Sequence, residues 1–480
     1  MTPDGAPDCA PNGAPDGTVD GPGTILASSR PPERLLTRES LAWMWYDLGT
    51  TGFNSVVVTF VFSVYLTSSP FGGKDETSTS LGAGLSIAAV IVALLAPVLG
   101  RRADRSGRPV GALGFASTAV LVIIGGLFFI RPDPAYLWPG IVALAVATVF
   151  SEFAGVHYNA LLKRVSTPKT VGRISGFGWG SGYLGSIALL LILLFGFIQP
   201  DVGLFGVTNV DALDIRASML VTAAWYAVGM VPILIVLRDR RAGKKVDTRQ
   251  GTSPGRRGRE SLLGAYRALW HTIRRLARTA PETLKFLIAS AIFRDGLVGV
   301  FAFGGVIAAG TFGFSPAQVV VFAIIANLIA GIATVSLGVL DDLLGPRRVI
   351  IASLALMIAA GVGIFALHDR GPTVFWVLGL ALCIFVGPAQ SASRSLLARQ
   401  IPPGLDGEVF GLYATSGRAL SFMAPAAFTF AIAVGRALRP DADSTQYWGI
   451  LGIMAVLLVG LIALLFVRPQ SSRAVDPTWT

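Results

Sequence analysis

The sequence predicts an all-α membrane protein: twelve transmembrane helices in two six-helix bundles, with both termini in the cytoplasm. Three observations carry that prediction. Of 480 residues, 53% are hydrophobic and 14% charged, with mean hydropathy +0.65, whereas soluble domains are about a quarter charged. Twelve apolar runs are each long enough to cross a bilayer core of ~30 Å. The basic residues then gather on one side of those runs. These features exclude a soluble multidomain chain, a disordered polymer, collagen and a coiled coil. Two cysteines, Cys9 and Cys383, and three histidines, His157, His271 and His368, rule out a disulfide framework or cysteine cluster and leave little material for a metal site. No cofactor and no metal are expected.

The first six runs lie near 42–66, 81–100, 110–130, 136–160, 175–198 and 217–237. The second six lie near 284–309, 317–339, 348–367, 373–396, 409–433 and 447–467. A membrane barrel would show ~10-residue segments of alternating polarity. Runs such as Leu189 to Phe195 do not alternate.

An even number of spans puts both termini on one side. Of the 39 Lys and Arg, 30 fall in segments assigned to that side and only six in the opposite loops. The short loops agree with the long basic one, so the positive-inside rule places this side in the cytoplasm. The first 30 residues lack the basic start and apolar core of a secretory signal. Rich in Pro, Gly and Asp, they read as disordered, with Cys9 a bystander. The expected organisation is a disordered tail over 1–40, a bundle over 41–237, a basic linker over 238–282, a bundle over 283–468 and a tail over 469–480.

In the linker, Leu262, Leu263, Tyr266, Leu269, Trp270, Ile273 and Leu276 share one helical face, while Arg267, Arg274, Arg275 and Arg278 lie away from it. Such a helix either lies on an anionic leaflet or is an ordinary linker with a solvated face. Positive-inside topology accounts for the basic residues, so no nucleic-acid partner is expected.

The two sets of six repeat each other. Gly100, Asp104 and Gly107 match Gly338, Asp342 and Gly345 at an offset of 238. At an offset of 235, Leu161, Leu162, Arg164, Pro168, Gly172, Gly176, Ser181 and Gly182 match Leu396, Leu397, Arg399, Pro403, Gly407, Gly411, Ser416 and Gly417. A parallel repeat of six spans is the pattern of major facilitator transporters. The loop Gly100-Arg101-Arg102-Ala103-Asp104-Arg105-Ser106-Gly107-Arg108 resembles that superfamily's signature between spans two and three. Its glycines permit close helix approach and a tight turn, and Asp104, Arg105 and Arg108 can form a charge network that holds one access state. The second copy, with Gly338, Asp342, Gly345 and Arg347, is degraded: Leu343 stands where an Arg is often found.

Several segments resemble a narrower group. WMWYDLGTTGFNSVVVTFVFSVY from Trp43, FGWGSGYLGS from Phe177 and FLIASAIFRDGLVGVF from Phe286 are similar to the first, fifth and seventh spans of the autophagy-related vacuolar amino-acid effluxer family and its bacterial relatives of unassigned substrate. QSASRSLLARQIPP from Gln390 and GEVFGLYATSGRAL from Gly407 are similar to its tenth and eleventh. The resemblance covers most of the chain from Leu41 to Phe466. It implies export of neutral amino acids, linked to protons.

Gly180-Ser181-Gly182-Tyr183-Leu184-Gly185 is a literal G-x-G-x-x-G, but it lies inside an apolar span rather than between a strand and a helix. Close helix packing through small residues explains it. No G-x-x-x-x-G-K-[ST] phosphate loop is present, which argues against direct ATP coupling by this chain.

A charge at the bilayer centre costs roughly 2.5–3.5 kcal/mol, so intramembrane charges mark a path or pair with one another. The candidates are Asp47 on the first span, Glu152 on the fourth, Arg294 and Asp295 on the seventh, Gln390 and Arg394 on the tenth and Arg418 on the eleventh. Asp295, followed by Asp47 or Glu152, would carry a proton. Arg294, Arg394 or Arg418 would hold a substrate carboxylate. The competing reading is a set of structural ion pairs, for instance Asp295 with Arg418, and for Asp47 a gate or cap. Trp43, Trp45 and Tyr46 are read as interface aromatics and His157 as a packed polar residue.

The expected function is a secondary transporter in the plasma membrane, a monomer exchanging a small solute by alternating access and using protons. A drug or metabolite exporter shares these features. A non-transporting receptor or scaffold is the alternative of another class. A membrane enzyme lacks a nucleophile–His–acid set at membrane depth, so no enzymatic activity is expected.

Overall fold

The computed structural model describes residues 36–238, 262–402, 404–441 and 445–468. The expected disordered tail up to residue 35, with Cys9, most of the basic linker and the C-terminal tail lie outside the described residues. Twelve helices among those described are long and apolar enough to cross a membrane. The first six are Arg38–Leu66, Ser80–Asp104, Pro109–Phe129, Pro134–Ala160, Val171–Ile198 and Val210–Val236. The last six are Pro281–Gly310, Val321–Leu344, Pro346–Ala366, Pro372–Gln400, Asp406–Leu438 and Trp448–Leu465. Spans are numbered in this order. All lie in one compact unit, Leu35–Thr480.

Several span ends shift from the sequence reading, the sixth beginning at Val210 rather than 217, and two differences bear on the architecture. The first span begins at Arg38, inside the stretch assigned to the tail. Thr37 and Ser40 cap it reciprocally: the Ser40 amide donates to Thr37 Oγ1 at 3.0 Å and the Thr37 amide to Ser40 Oγ at 2.9 Å. The eleventh span, read as continuous over 409–433, is broken. Its helix Asp406–Ala419 stops, residues 420–422 turn, and a second helix runs Met423–Leu438. Pro425 is the local cause, because its ring lacks an N–H and clashes with the carbonyl four residues earlier, that of Ser421. The first span also widens to a π-helical stretch over Phe53–Phe60, a distortion often found at functional sites.

Packing partners recur between the two sets. Span one lies on five and six, two on four, and three on four and six. Likewise seven lies on eleven and twelve, eight on ten, and nine on ten and twelve. The sets meet chiefly where span five lies on eight and two on eleven. Small residues allow that approach: a Cβ on Gly176 would lie 3.0 Å from the Gly338 Cα. The G-x-G-x-x-G run works in the same way. Gly180 lies against the Gly331 carbonyl of span eight, and Gly182 and Gly185 lie against Thr51 and Leu48 of span one.

The linker helix is Leu262–Thr279. Leu276 on its expected apolar face is buried, while Trp270 on the same face is exposed and lies under the Arg274 guanidinium at 5.9 Å. The side chains of Leu262, Leu263, Tyr266 and Leu269 lie outside the described residues.

Candidate functional site

A cavity of about 520 Å³ lies between the two sets of spans, with walls from spans one, four, five, six, seven, ten and eleven. Asp47, Glu152, Arg294, Asp295, Gln390, Arg394 and Arg418 all line it. The sequence reading therefore gathers in one place. What it did not supply is the pairing.

The end of the molecule bearing the loop signatures is closed. Asp104, at the end of span two, accepts from the Gly407 and Glu408 amides at 2.8 and 2.9 Å. These are the first amides of span eleven, where a carboxylate meets both orphan donors and the positive end of the helix dipole. Asp342 does the same for span five, accepting from the Gly172 and Arg173 amides at 2.7 and 3.0 Å. Gly107 and Gly345 follow at φ +62° and +87°, left-handed conformations that favour glycine. Lys163 of the first set lies 3.2 Å from Asp406 of the second.

Among the described residues, the degraded copy of the signature gathers guanidinium groups as well as amides. Asp342 also binds the Arg173 Nε at 2.9 Å and an Arg399 guanidinium nitrogen at 2.9 Å, while Arg399 reaches Asp341 at 2.8 Å. Leu343 costs this network nothing, because its cations come from spans five and ten. Arg347, a signature candidate, donates instead to the Leu465 carbonyl at the end of span twelve at 3.0 Å. Gly338 lies against Gly172 and Gly176, and Gly100 against Gly407. Arg108 is exposed, and the Arg105 side chain lies outside the described residues.

Just inside this closure is a further layer, the cavity floor. Arg394 is buried, with 2% of its side chain exposed, and lies 3.2 Å from Asp47 of span one. Its Nε donates to Ser175 Oγ at 3.0 Å and its Nη2 to the Ser175 carbonyl at 2.8 Å. Trp43 and Trp179 put ring faces 4.7 and 5.1 Å from the guanidinium. The interface reading of two aromatics is thereby corrected. Trp43 and Tyr46 are buried and sandwich Tyr158, with ring centroids 4.3 and 4.7 Å from it. Trp45 is exposed. His157 is buried beside this group, outside the cavity wall.

On the cavity wall the Asp295–Arg418 pair of the competing reading does not form. Arg418 pairs with Glu152 of span four, joining the two sets across the cavity, with 36% and 32% of the side chains exposed. Asp295 turns to the break in span eleven, where its Oδ2 accepts from the Ala424 amide at 2.6 Å. The broken helix offers a free N-terminus, and Asp295 fills it. Arg294 lies over the Tyr413 ring at 3.8 Å and donates to the Tyr413 carbonyl at 3.1 Å. Gln390 of span ten lines the wall.

Sequence reading missed Trp179, Tyr183, Tyr226 and Tyr413 of the wall, Ser175, which holds Arg394 from behind it, and Lys163, Arg173, Asp341, Arg399 and Asp406 of the closure. Arg399 had a signal, since it is the repeat partner of Arg164. The others are ordinary polar or aromatic residues whose neighbours come from distant spans.

A bundle of twelve spans with a charged central cavity closed at one end defines a membrane transporter of the major facilitator type, not an enzyme. The family model described as "Vacuole effluxer Atg22 like" matches residues 69–475. The chain belongs to that family. It is 24% identical over 443 residues to the "Uncharacterized MFS-type transporter YxiO" of Bacillus subtilis, covering 92% of this chain and 97% of the relative. It is 25% identical over 270 residues to "Autophagy-related protein 22-1" of Neosartorya fischeri; that match takes in 53% of this chain and 42% of the relative, less than half its length. Solved structures with the same fold include the proton:xylose symporter XylE, with a TM-score of 0.67 at 15% identity, covering 90% of this chain and 95% of that one. A bacterial homologue of the iron transporter ferroportin in an outward-facing state has a TM-score of 0.64 at 14% identity, covering 90% of this chain and 99% of that one.

Proposed function

We propose that this transporter works in the plasma membrane as a proton-linked secondary carrier that exports neutral amino acids. Its termini are cytoplasmic, as the basic loops require, and the two sets of six spans rock as bundles about the central cavity. In this reading the closed end is the cytoplasmic end and the conformation is outward-facing. The linker helix Leu262–Thr279 lies on the cytoplasmic side, and the transporter acts as a monomer.

One observation carries the coupling: Asp295 lines the cavity and also holds the start of the Met423–Leu438 helix. A proton arriving from the cavity removes the charge that the helix N-terminus favours. That loosens the outer piece of span eleven, the span that Asp104 holds at its other end. Proton binding at Asp295 and closure at Asp104 thus act on one broken helix. Asp47 and Glu152 are the other cavity carboxyls, each already committed to an arginine.

Asp295→Asn keeps an acceptor for the Ala424 amide and loses the titrating charge. In proteoliposomes with an imposed pH gradient it is expected to abolish accumulation of the transported solute while remaining folded in detergent. Continued accumulation against a gradient by this variant would remove Asp295 from the coupling. Robust flux of cationic drugs with none of amino acids would favour the drug-exporter reading instead.

A further inference from the structure

Three arginines and three carboxylates line the cavity, and their pairing is uneven. Arg394 is held by Asp47 and Ser175. Arg418 is held by Glu152. Asp295 spends its charge on the span-eleven helix start. Arg294 is left over. A guanidinium carries five N–H donors, and a single one of Arg294 is used among the described residues, toward the Tyr413 carbonyl. No carboxylate lies within ion-pair distance of it among those residues.

The environment fixes this group without neutralising it. The Tyr413 ring beneath the guanidinium is itself anchored, its hydroxyl lying 2.8 Å from Ser393 Oγ. Gly417 leaves room for the head: a Cβ there would lie 3.2 Å from Arg294 Nη1. An unpaired guanidinium stacked on a fixed ring, its remaining donors free, suits a planar two-oxygen anion. The rest of the wall supplies aromatic faces from Tyr183, Trp179 and Tyr226 and uncharged donors from Asn54 and Thr51. That is a surface for a small organic body.

We infer that Arg294 is the substrate anchor and that it selects solutes bearing a carboxylate: Arg394 is buried against Asp47 and Ser175, Arg418 already faces Glu152, and Arg294 alone of the three faces no carboxylate among the described residues. This deepens the transport reading and rests on it. An amino acid would enter with its carboxylate on Arg294, and a solute carrying only positive charge would be repelled.

The test is binding to the purified full-length protein, read by thermal shift and confirmed by titration calorimetry. The probes are L-leucine, leucinamide, which lacks the carboxylate, and isocaproate, which lacks the ammonium. L-Leucine should bind, leucinamide should bind roughly 10- to 100-fold more weakly, as loss of a charge-assisted pair requires, and isocaproate should bind better than leucinamide. Arg294→Gln should erase the difference between leucine and its amide. Arg294→Lys, which keeps the charge and loses the fork, should retain part of it. Should Arg294→Gln fail to fold, the wild-type probe series and the Lys variant decide the matter. Equal affinity for leucine and leucinamide, unchanged leucine binding in Arg294→Gln, or no binding of any carboxylate probe would overturn the assignment. pH-driven uptake of a carboxylate-free solute with leucine inert would sink the assignment and leave the transport reading intact. Leucine binding without gradient-driven flux would do the reverse.

Discussion

The closed end and the cavity wall both join the two sets of spans by arginine–carboxylate contacts, yet they are built for opposite behaviour. At the closed end the acids are sequestered: the Asp341 and Asp342 side chains are 2% and 3% exposed, and each carboxylate also takes neutral donors. On the wall, Glu152 and Arg418 are about one-third exposed and face the cavity. Removing one partner of a buried pair strands the other and costs about 3–5 kcal/mol. An exposed pair contributes about 0–1 kcal/mol. The same chemistry therefore makes a latch in one place and an exchangeable contact in the other.

The largest effect is expected at Asp342. It accepts from two amides of span five and from two guanidinium groups. Asp342→Ala removes all four bonds and should shift the balance between closed and open forms by roughly 100-fold or more. The reporter should be remote from the change. Hydrogen exchange at the Gly407 and Glu408 amides, held by Asp104 on the far side of the closure, should accelerate in the variant. Unchanged exchange there would mean that the two latches open independently.

A smaller effect is expected at Asp104, which among the described residues caps span eleven through two backbone amides. Asn caps a helix about as well as Asp, so Asp104→Asn loses only the charge–dipole part, about 0.3–1 kcal/mol. Exchange at the Gly172 and Arg173 amides should rise by about fivefold or less. A larger rise than Asp342→Ala produces on the opposite side would reverse the ranking of the two loop signatures.

That ranking runs against the sequence, and the reason is physical. The signature at Asp104 is legible because its residues stand in one loop at fixed spacing. Its counterpart at Asp342 reads as degraded because Leu343 replaces a local Arg, while the cations that serve it lie 169 and 57 residues away, at Arg173 and Arg399. Linear reading finds the acid and misses its partners. The fold is legible for the complementary reason: a span is a contiguous apolar run, and positive-inside bias is a count. Within a span that is apolar all round, periodicity does not tell the lipid face from the interior. Trp43 and Tyr46 therefore read as interface aromatics, although Trp43 packs on Arg394 and Tyr46 on Tyr158. The break in span eleven does have a signal, Pro425. The Asp295–Ala424 contact that gives the break meaning joins residues 129 positions apart. Six of the seven cavity candidates stand out because charge at membrane depth is rare, and Gln390 because it is polar there; which of them pair is a property of the packing alone.

The smallest stability effect, and the sharpest test of the comparison, is at Glu152. Glu152→Gln keeps the shape and a hydrogen-bond acceptor for Arg418 and removes the charge. Because the pair is about one-third exposed to the cavity, the melting transition in detergent should move by the equivalent of under about 1 kcal/mol. With coupling at Asp295, accumulation under a pH gradient should persist in this variant. The freed Arg418 would then be another open guanidinium in the cavity, and carboxylate probes should bind Glu152→Gln at least as tightly as wild type. A variant that melts normally but no longer accumulates solute would move the proton from Asp295 to Glu152, and the wall pair would become the coupling device. A variant that melts several kcal/mol early would show that this contact is as much a latch as the closed end. Burial would then not be what separates the two regions.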